Sequence, residues 1–149
     1  MNKTRDVFLS ADEIEIIKLT QDIIMRMAEN SSRTKTIFIV VTTAVVTFSE
    51  VQISLWTIVL LIAYLLITCA LWQVDALYLR QERLFRQHYV AIVNKEISIK
   101  EAWNLNVSRY ETEKVFHIMF RNYTMWIYQL SLLFTFVLIV YCFFHLPAR

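Results

Sequence analysis

Three runs of uncharged, mostly apolar residues divide the chain, and charged segments separate them. The runs cover residues 36–49, 53–74 and 124–144. A transmembrane helix needs about 17–25 such residues, so the second and third runs are long enough on their own. The first run is short, and we expect Thr34 and Lys35 to extend it, because a lysine stem can lie along apolar surface while its amine reaches water. Only a tight turn fits between the first two runs, which predicts an antiparallel membrane hairpin followed by a third span.

The segments outside these runs have helical spacing. Ser10 and Glu13 form the pattern of a capping box, in which each residue bonds the backbone of the other. Apolar residues then recur every three or four positions, which predicts an amphipathic helix that ends near residues 30–32. After Trp72 apolar and charged residues interleave with no turn signal, so we expect the second membrane helix to continue out of the membrane.

Two further capping boxes follow this polar continuation. Ser98 pairs with Glu101 in the first, and Ser108 pairs with Glu111 in the second. From Tyr110 the apolar spacing predicts one helix that runs without a break into the third span.

The composition indicates that these helices belong to a membrane protein. Hydrophobic residues make up 57% of the 149 residues, the mean hydropathy is +0.46, and the chain has no Gly and one Pro. A small soluble domain could not bury that much apolar surface, and a chain without Gly is free to be helical almost throughout. We therefore predict an all-α membrane protein with three transmembrane helices and a cytoplasmic helical layer.

Positive charge predicts the orientation. Of the 15 Lys and Arg residues, six precede residue 36, eight lie in 75–123 and only Arg149 follows the third run. Positively charged loops stay on the cytoplasmic side. The predicted parts are a cytoplasmic amphipathic helix (1–35), a membrane hairpin (36–74), a cytoplasmic helical segment (75–123), a third span (124–145) and a periplasmic tail (146–149). The predicted membrane-boundary anchors are Trp56, Trp72, Trp126 and Tyr141.

We find no pattern typical of an enzyme, a metal site or a cofactor site. His88, His117 and His145 are scattered, and we interpret them as surface or interfacial residues. Cys69 and Cys142 lie inside apolar runs, where we interpret them as small packing residues. A net charge of +2 is too small to indicate nucleic-acid binding.

One polar stripe lies on the first span. Thr36, Thr43, Thr47 and Glu50 are spaced by seven, four and three residues, so they share one helix face. In a ring of subunits this face could line a water-filled path. The alternative, which we favour, is that the threonine hydroxyls bond their own backbone carbonyls and help helices to approach.

The strongest charged group follows the second span. Its members are Asp75, Tyr78, Arg80, Glu82, Arg83 and Arg86. Glu82 and Arg86 are four residues apart with the acid first, the favourable order for a helical ion pair. The mixture of arginine, aromatics and acid is typical of protein interfaces. We favour an ion-pair network between subunits or helices, and binding of a ligand or a lipid phosphate by the three arginines is the alternative.

The stretch that contains this group, residues 77–86 (LYLRQERLFR) followed by His88 and Tyr89, resembles a motif of the RipA family of small bacterial inner-membrane proteins. Residues 28–45 and 108–120 are similar to the family's N-terminal region and to the lead-in to its last span. The chain departs from the family at 125–129, where Pro and Gly are usual, and at Val90, where an acid is usual. The resemblance implies an octameric ring in the inner membrane and no catalytic residues.

Together these observations predict a non-enzymatic, homo-oligomeric protein of the bacterial inner membrane that acts as a scaffold. Three short spans bundle poorly alone, so self-assembly is the economical way to cover their apolar faces. A regulated pore or membrane-disrupting effector of a defence system is the alternative function. The expected partners are other copies of the chain and membrane lipids, and the sequence leaves room for a further protein partner without identifying it.

Overall fold

The computed structural model describes residues 10–49, 54–110 and 114–145, and every regular element in those ranges is helical. The prediction of an all-α fold is confirmed. The elements are α1 (Ala11–Ser49), α2 (Leu55–Val93), α3 (Ile99–Trp103), α4 (Val115–Arg121), a 3₁₀ turn (Tyr123–Met125) and α5 (Trp126–His145).

Helices α1 and α2 pack against each other as an antiparallel pair along their whole length. Side-chain contacts join them at four levels, and the residue number falls in α2 as it rises in α1. The contacts pair Glu13 with Lys95, Gln21 with Tyr89, Lys35 with Asp75, and Thr42 with Tyr64. Each helix has 39 residues, which at 1.5 Å per residue is about 58 Å, or twice the ~30 Å of a bilayer's hydrocarbon core.

Among the residues that the structure describes, two helical segments are long and apolar enough to cross a membrane, Leu55–Val93 and Tyr123–His145. The apolar half of α2 ends near residue 74, and the charged half continues as the same helix, as the sequence predicts. Residues 36–49 form the last part of α1, and a third span there stays a prediction.

The predicted end of the first amphipathic helix at residues 30–32 is wrong, because α1 continues through them to Ser49. Serine and threonine are tolerated inside a helix when their hydroxyls find acceptors. The Thr34 hydroxyl donates to the Asn30 carbonyl at 2.9 Å, and the Ser31 hydroxyl donates to Asp75 on α2. Tertiary contacts therefore outweigh the weak helix propensity of this segment.

The predicted unbroken helix from Tyr110 into the third span is also wrong. Asn122 is extended (φ −83°, ψ 125°), so α4 stops there and α5 begins only after the 3₁₀ turn. A broken helix leaves carbonyls without partners. The Gln129 side-chain amide donates to the Met119 carbonyl at 2.9 Å and satisfies one of them.

The capping boxes are confirmed at α1 and α3. Ser10 and Glu13 exchange backbone bonds of 2.7 and 3.2 Å, and Ser98 and Glu101 do so at 2.9 and 3.3 Å. The third predicted box includes Glu111, which lies outside the described residues.

Helix α2 ends at Val93 and is followed at Lys95 by a left-handed turn, a position usually occupied by glycine. Lys95 has φ 58°, its N–H bonds the Ile92 carbonyl, and the Glu96 N–H bonds the Ala91 carbonyl. This is the Schellman pattern, formed without the glycine that the chain lacks.

Buried hydrophobic side chains form two clusters, which lie at different levels of the α1–α2 pair. The larger joins α1, α2, α4 and α5 and contains Phe38, Tyr64, Trp72, Ala76, Ile118, Met125 and Tyr128. The smaller joins α1, α2 and α3 through Ile16, Ile92 and Ala102.

Candidate functional site

A buried carboxylate lies where the three long helices meet. Asp75 on α2 has no exposed side-chain surface, and the Lys35 amine lies 2.7 Å from its Oδ2 and 2.9 Å from its Oδ1. The Ser31 hydroxyl donates to Oδ1 at 2.5 Å, and the Tyr128 hydroxyl of α5 donates to Oδ2 at 3.2 Å. A buried carboxylate is tolerated only when a cation and hydrogen-bond donors compensate its lost hydration, and these three side chains supply both.

Helical spacing explains how α1 supplies two of these partners. Ser31 and Lys35 are four residues apart, so they share one face of α1, and the Lys35 amine also donates to the Ser31 hydroxyl at 2.7 Å. The Lys35 side chain keeps 30% of its surface exposed. The positive charge therefore reaches the edge of the bundle, while the negative charge is enclosed.

A second junction lies deeper along the apolar helices and is built from hydroxyl groups. The buried Tyr64 hydroxyl lies 2.8 Å from Thr42 Oγ1 on α1 and 2.6 Å from Ser131 Oγ on α5. Because Thr42 gives its single proton to the Phe38 carbonyl at 2.7 Å, Tyr64 must donate to Thr42 and accept from Ser131. One tyrosine thus links α1, α2 and α5.

A third junction holds the segment after α2 against the charged half of that helix. His88 is fully buried, with Nε2 3.2 Å from the Ala102 carbonyl and Nδ1 3.1 Å from the Tyr110 hydroxyl. A carbonyl only accepts, so Nε2 carries a proton and donates it to Ala102, and in the neutral ring Nδ1 would accept from the Tyr110 hydroxyl. Burial lowers the pKa of His88, the bond to the Ala102 carbonyl partly opposes this, and the nearby Arg109 charge lowers the pKa further. The interpretation of His88 as a surface residue is wrong, whereas His117 and His145 are exposed as expected.

Members of the charged group predicted from sequence have different partners in the structure. Asp75 belongs to the buried junction. Glu82 and Arg86 form the expected ion pair at 2.6 Å, with 12% and 66% of their side chains exposed. Arg80 and Arg83 have interactions within the chain, and Tyr78 is half-buried.

The threonine stripe of α1 lies on the helix face opposite α2. Thr36, Thr43 and Thr47 are exposed, and each hydroxyl donates to the carbonyl four residues earlier, at 2.9–3.1 Å. Glu50, the fourth predicted member, lies outside the described residues.

The predicted boundary anchors differ in their exposure. Trp56, Trp126 and Tyr141 are exposed, as side chains that contact lipid headgroups would be. Trp72 is buried instead and packs edge-on against Phe120 of α4, with ring centroids 5.0 Å apart.

Comparisons with protein-family models, with curated proteins and with solved structures were made for the whole chain. None of them finds a match. Within the described ranges, no group of three or more His, Cys, Asp or Glu side chains is placed to hold a metal ion.

Sequence reasoning did not identify Tyr64, Ser131, Tyr128 or the partnership of Lys35 with Asp75. A usable signal exists for Tyr64 and Ser131, because polar residues recur at helical spacing within the apolar runs, at 64 and 68 on α2 and at 131 and 135 on α5. Such positions mark the inward face of a membrane helix. The Lys35 partnership had no local signal, because its carboxylate lies 40 residues away.

Proposed function

We propose that the chain is a non-enzymatic scaffold of the bacterial inner membrane, with three spans and a cytoplasmic helical layer, and that it works as a homo-oligomer. The observation that carries this proposal is that buried polar side chains bond to one another between helices of the same chain. Asp75, Lys35, Tyr64 and His88 bond to partners in the same chain and lock helices together. A structural role needs this kind of rigid frame.

The outer surface of the frame supports self-association. Large apolar side chains are exposed on the charged halves of the helices as well as on the apolar halves, among them Met25 and Val90. Exposed apolar groups of this kind mark interaction surfaces. The apolar part of α1 (36–49) is about 21 Å long, shorter than a bilayer core, and association with other copies is one way to accommodate that mismatch. The resemblance of residues 77–89 to the RipA family favours a ring of eight copies.

The mass of the protein released from lipid nanodiscs tests the proposal. We expect a closed oligomer for the wild type and a smaller species for Glu82→Arg, which leaves four positive charges and no acid in residues 80–86 of the proposed interface.

A charge-swapped control separates an interface effect from an effect within one chain. The double variant Glu82→Arg/Arg86→Glu restores an ion pair four residues apart but inverts the charge pattern offered to a neighbouring copy. A wild-type mass for both variants would remove these residues from the interface. A monomeric wild type would refute the assembly itself.

A regulated pore is the second candidate, because the threonine stripe faces outward from the bundle. A water-filled path along Thr43 and Thr47 would conduct ions, and replacing both with the isosteric Val would lower that conductance. Planar-bilayer recordings measure it directly. The pore is rejected if the wild type never conducts or if the double variant conducts equally.

A further inference from the structure

An apolar cavity of about 260 Å³ lies between α1, α2 and α5, midway along their apolar parts. Its apolar wall is formed by Val45, Val46, Leu61, Phe134 and Leu138. Val46 and Phe134 are exposed and come from different helices, so the cavity opens to the surface between α1 and α5. Leu61 is buried and closes its inner side.

The hydroxyl groups on the wall already have partners. Thr42 and Ser131 bond to Tyr64, and the Thr135 hydroxyl donates to the Ser131 carbonyl at 2.7 Å. None of these groups therefore requires a polar ligand. A site whose polar groups are satisfied and whose remaining wall is apolar favours plain hydrocarbon over an amphiphile headgroup or water.

Size decides between the occupants that remain. An α-helix is about 10 Å across, so a 260 Å³ space would hold only about 3 Å of its length, or two residues. A whole helix of a second copy therefore does not enter the cavity, and such a copy would reach it only with single side chains. The space is nevertheless larger than the roughly 150 Å³ engineered cavity that takes up benzene, so a flexible chain of methylene groups does fit.

We propose that this cavity binds one acyl chain of a membrane phospholipid, which enters between α1 and α5 and lies against the Tyr64 junction. The inference rests on the proposed membrane location, because hydrocarbon is the surrounding medium only there. The acyl chain would fill the space that three helices joined at one tyrosine leave open. The lipid would thereby become part of the bundle's packing.

Photolabelling of the full chain tests this site. The protein is reconstituted in vesicles of phosphatidylethanolamine and phosphatidylglycerol that contain a phosphatidylcholine with a diazirine at the middle of one acyl chain. Peptide mass spectrometry then locates the label. We expect more label at Leu61 and Leu138 than at Leu66, which is exposed on the lipid-facing side of α2.

Filling the cavity should abolish that preference. Val46→Phe, and independently Leu138→Phe, should remove the label from Leu61, whereas Val59→Phe on the exposed surface of α2 should leave it. If Leu66 is labelled and Leu61 is not enriched over it, the acyl-chain site is wrong while the membrane location stands. If neither is labelled, the membrane location fails and the site fails with it. Cross-linking of Val46→Cys to the same position of a second copy would show that protein occupies the opening, which also overturns the proposal.

Discussion

Removing either charge of the Lys35–Asp75 pair should destabilise the bundle by unequal amounts. Lys35→Met leaves a carboxylate with no exposed surface and no cation, and an uncompensated buried charge costs about 3–5 kcal/mol. Asp75→Asn is milder, because the Lys35 side chain is 30% exposed and its amine keeps the Ser31 hydroxyl as an acceptor. We expect the free energy of unfolding of this variant to fall by about 1–3 kcal/mol, because its hydrogen bonds are weakened.

The double variant Lys35→Met/Asp75→Leu removes both charges. Replacing a buried ion pair with apolar side chains is often neutral or stabilising, so its stability should return to within about 1 kcal/mol of the wild type. Arg33→Met is the matched control on the same helix. Its partner Glu29 lies 2.6 Å away and both side chains are mostly exposed, so the loss should be only about 0.3–0.5 kcal/mol.

Reversible unfolding in bicelles, followed by tryptophan fluorescence to which the buried Trp72 contributes, gives these free energies. Equal losses in the free energy of unfolding for Lys35→Met and Arg33→Met would show that the buried pair contributes no more to stability than an exposed pair. A double variant no more stable than Lys35→Met would show that the loss comes from the lysine's own packing and not from the stranded carboxylate.

Two further predictions concern the other junctions. Tyr64→Phe removes the hydroxyl that links three helices, and interhelical bonds in membranes average about 0.6 kcal/mol with a maximum near 1.7, so we expect a loss of about 1 kcal/mol. Tyr141→Phe, on the exposed surface, should change nothing measurable in the same unfolding assay. Burial lowers the pKa of His88 below its usual 6.5, so the unfolded chain binds more protons and stability should fall as pH drops below about 6.5. Thermal unfolding at pH 7.5 and 5.5 should show this fall in the wild type and in His117→Gln but not in His88→Gln, and an equal fall in His88→Gln would assign it to another group.

Local sequence patterns predicted the helices well where a single local signal, such as a capping box, determined the structure. Two capping boxes are formed as expected, and the charged half of α2 continues its apolar half because nothing between Trp72 and Val93 favours a break. The predictions failed where tertiary contacts outweighed propensity. Ser31 looks like a helix end in sequence, but its hydroxyl is occupied by Asp75.

The candidate site was predicted only in part, for a physical reason. Asp75 and the Glu82–Arg86 pair were identified because charge beside an apolar run, and helical spacing, are visible within a few residues. The partners of Asp75 and Tyr64 lie between 22 and 67 positions away. Which of many hydroxyls and lysines meets them depends on the register of α1 on α2, and this register is set by the packing of both helices together.

The unbroken course of α1 and α2 has a mechanical consequence. About 28 Å of α2 lies beyond residue 74, and a helix without a hinge transmits tilt along its whole length. If the apolar halves tilt by about 10° to match a thinner bilayer, the far ends move sideways by about 5 Å. The Lys35–Asp75 pair lies where the apolar and charged halves of the helices meet, and both halves would tilt about this point. The position of the charged halves would then change with bilayer thickness. A protein in contact with them would respond to that change without a bound signal molecule.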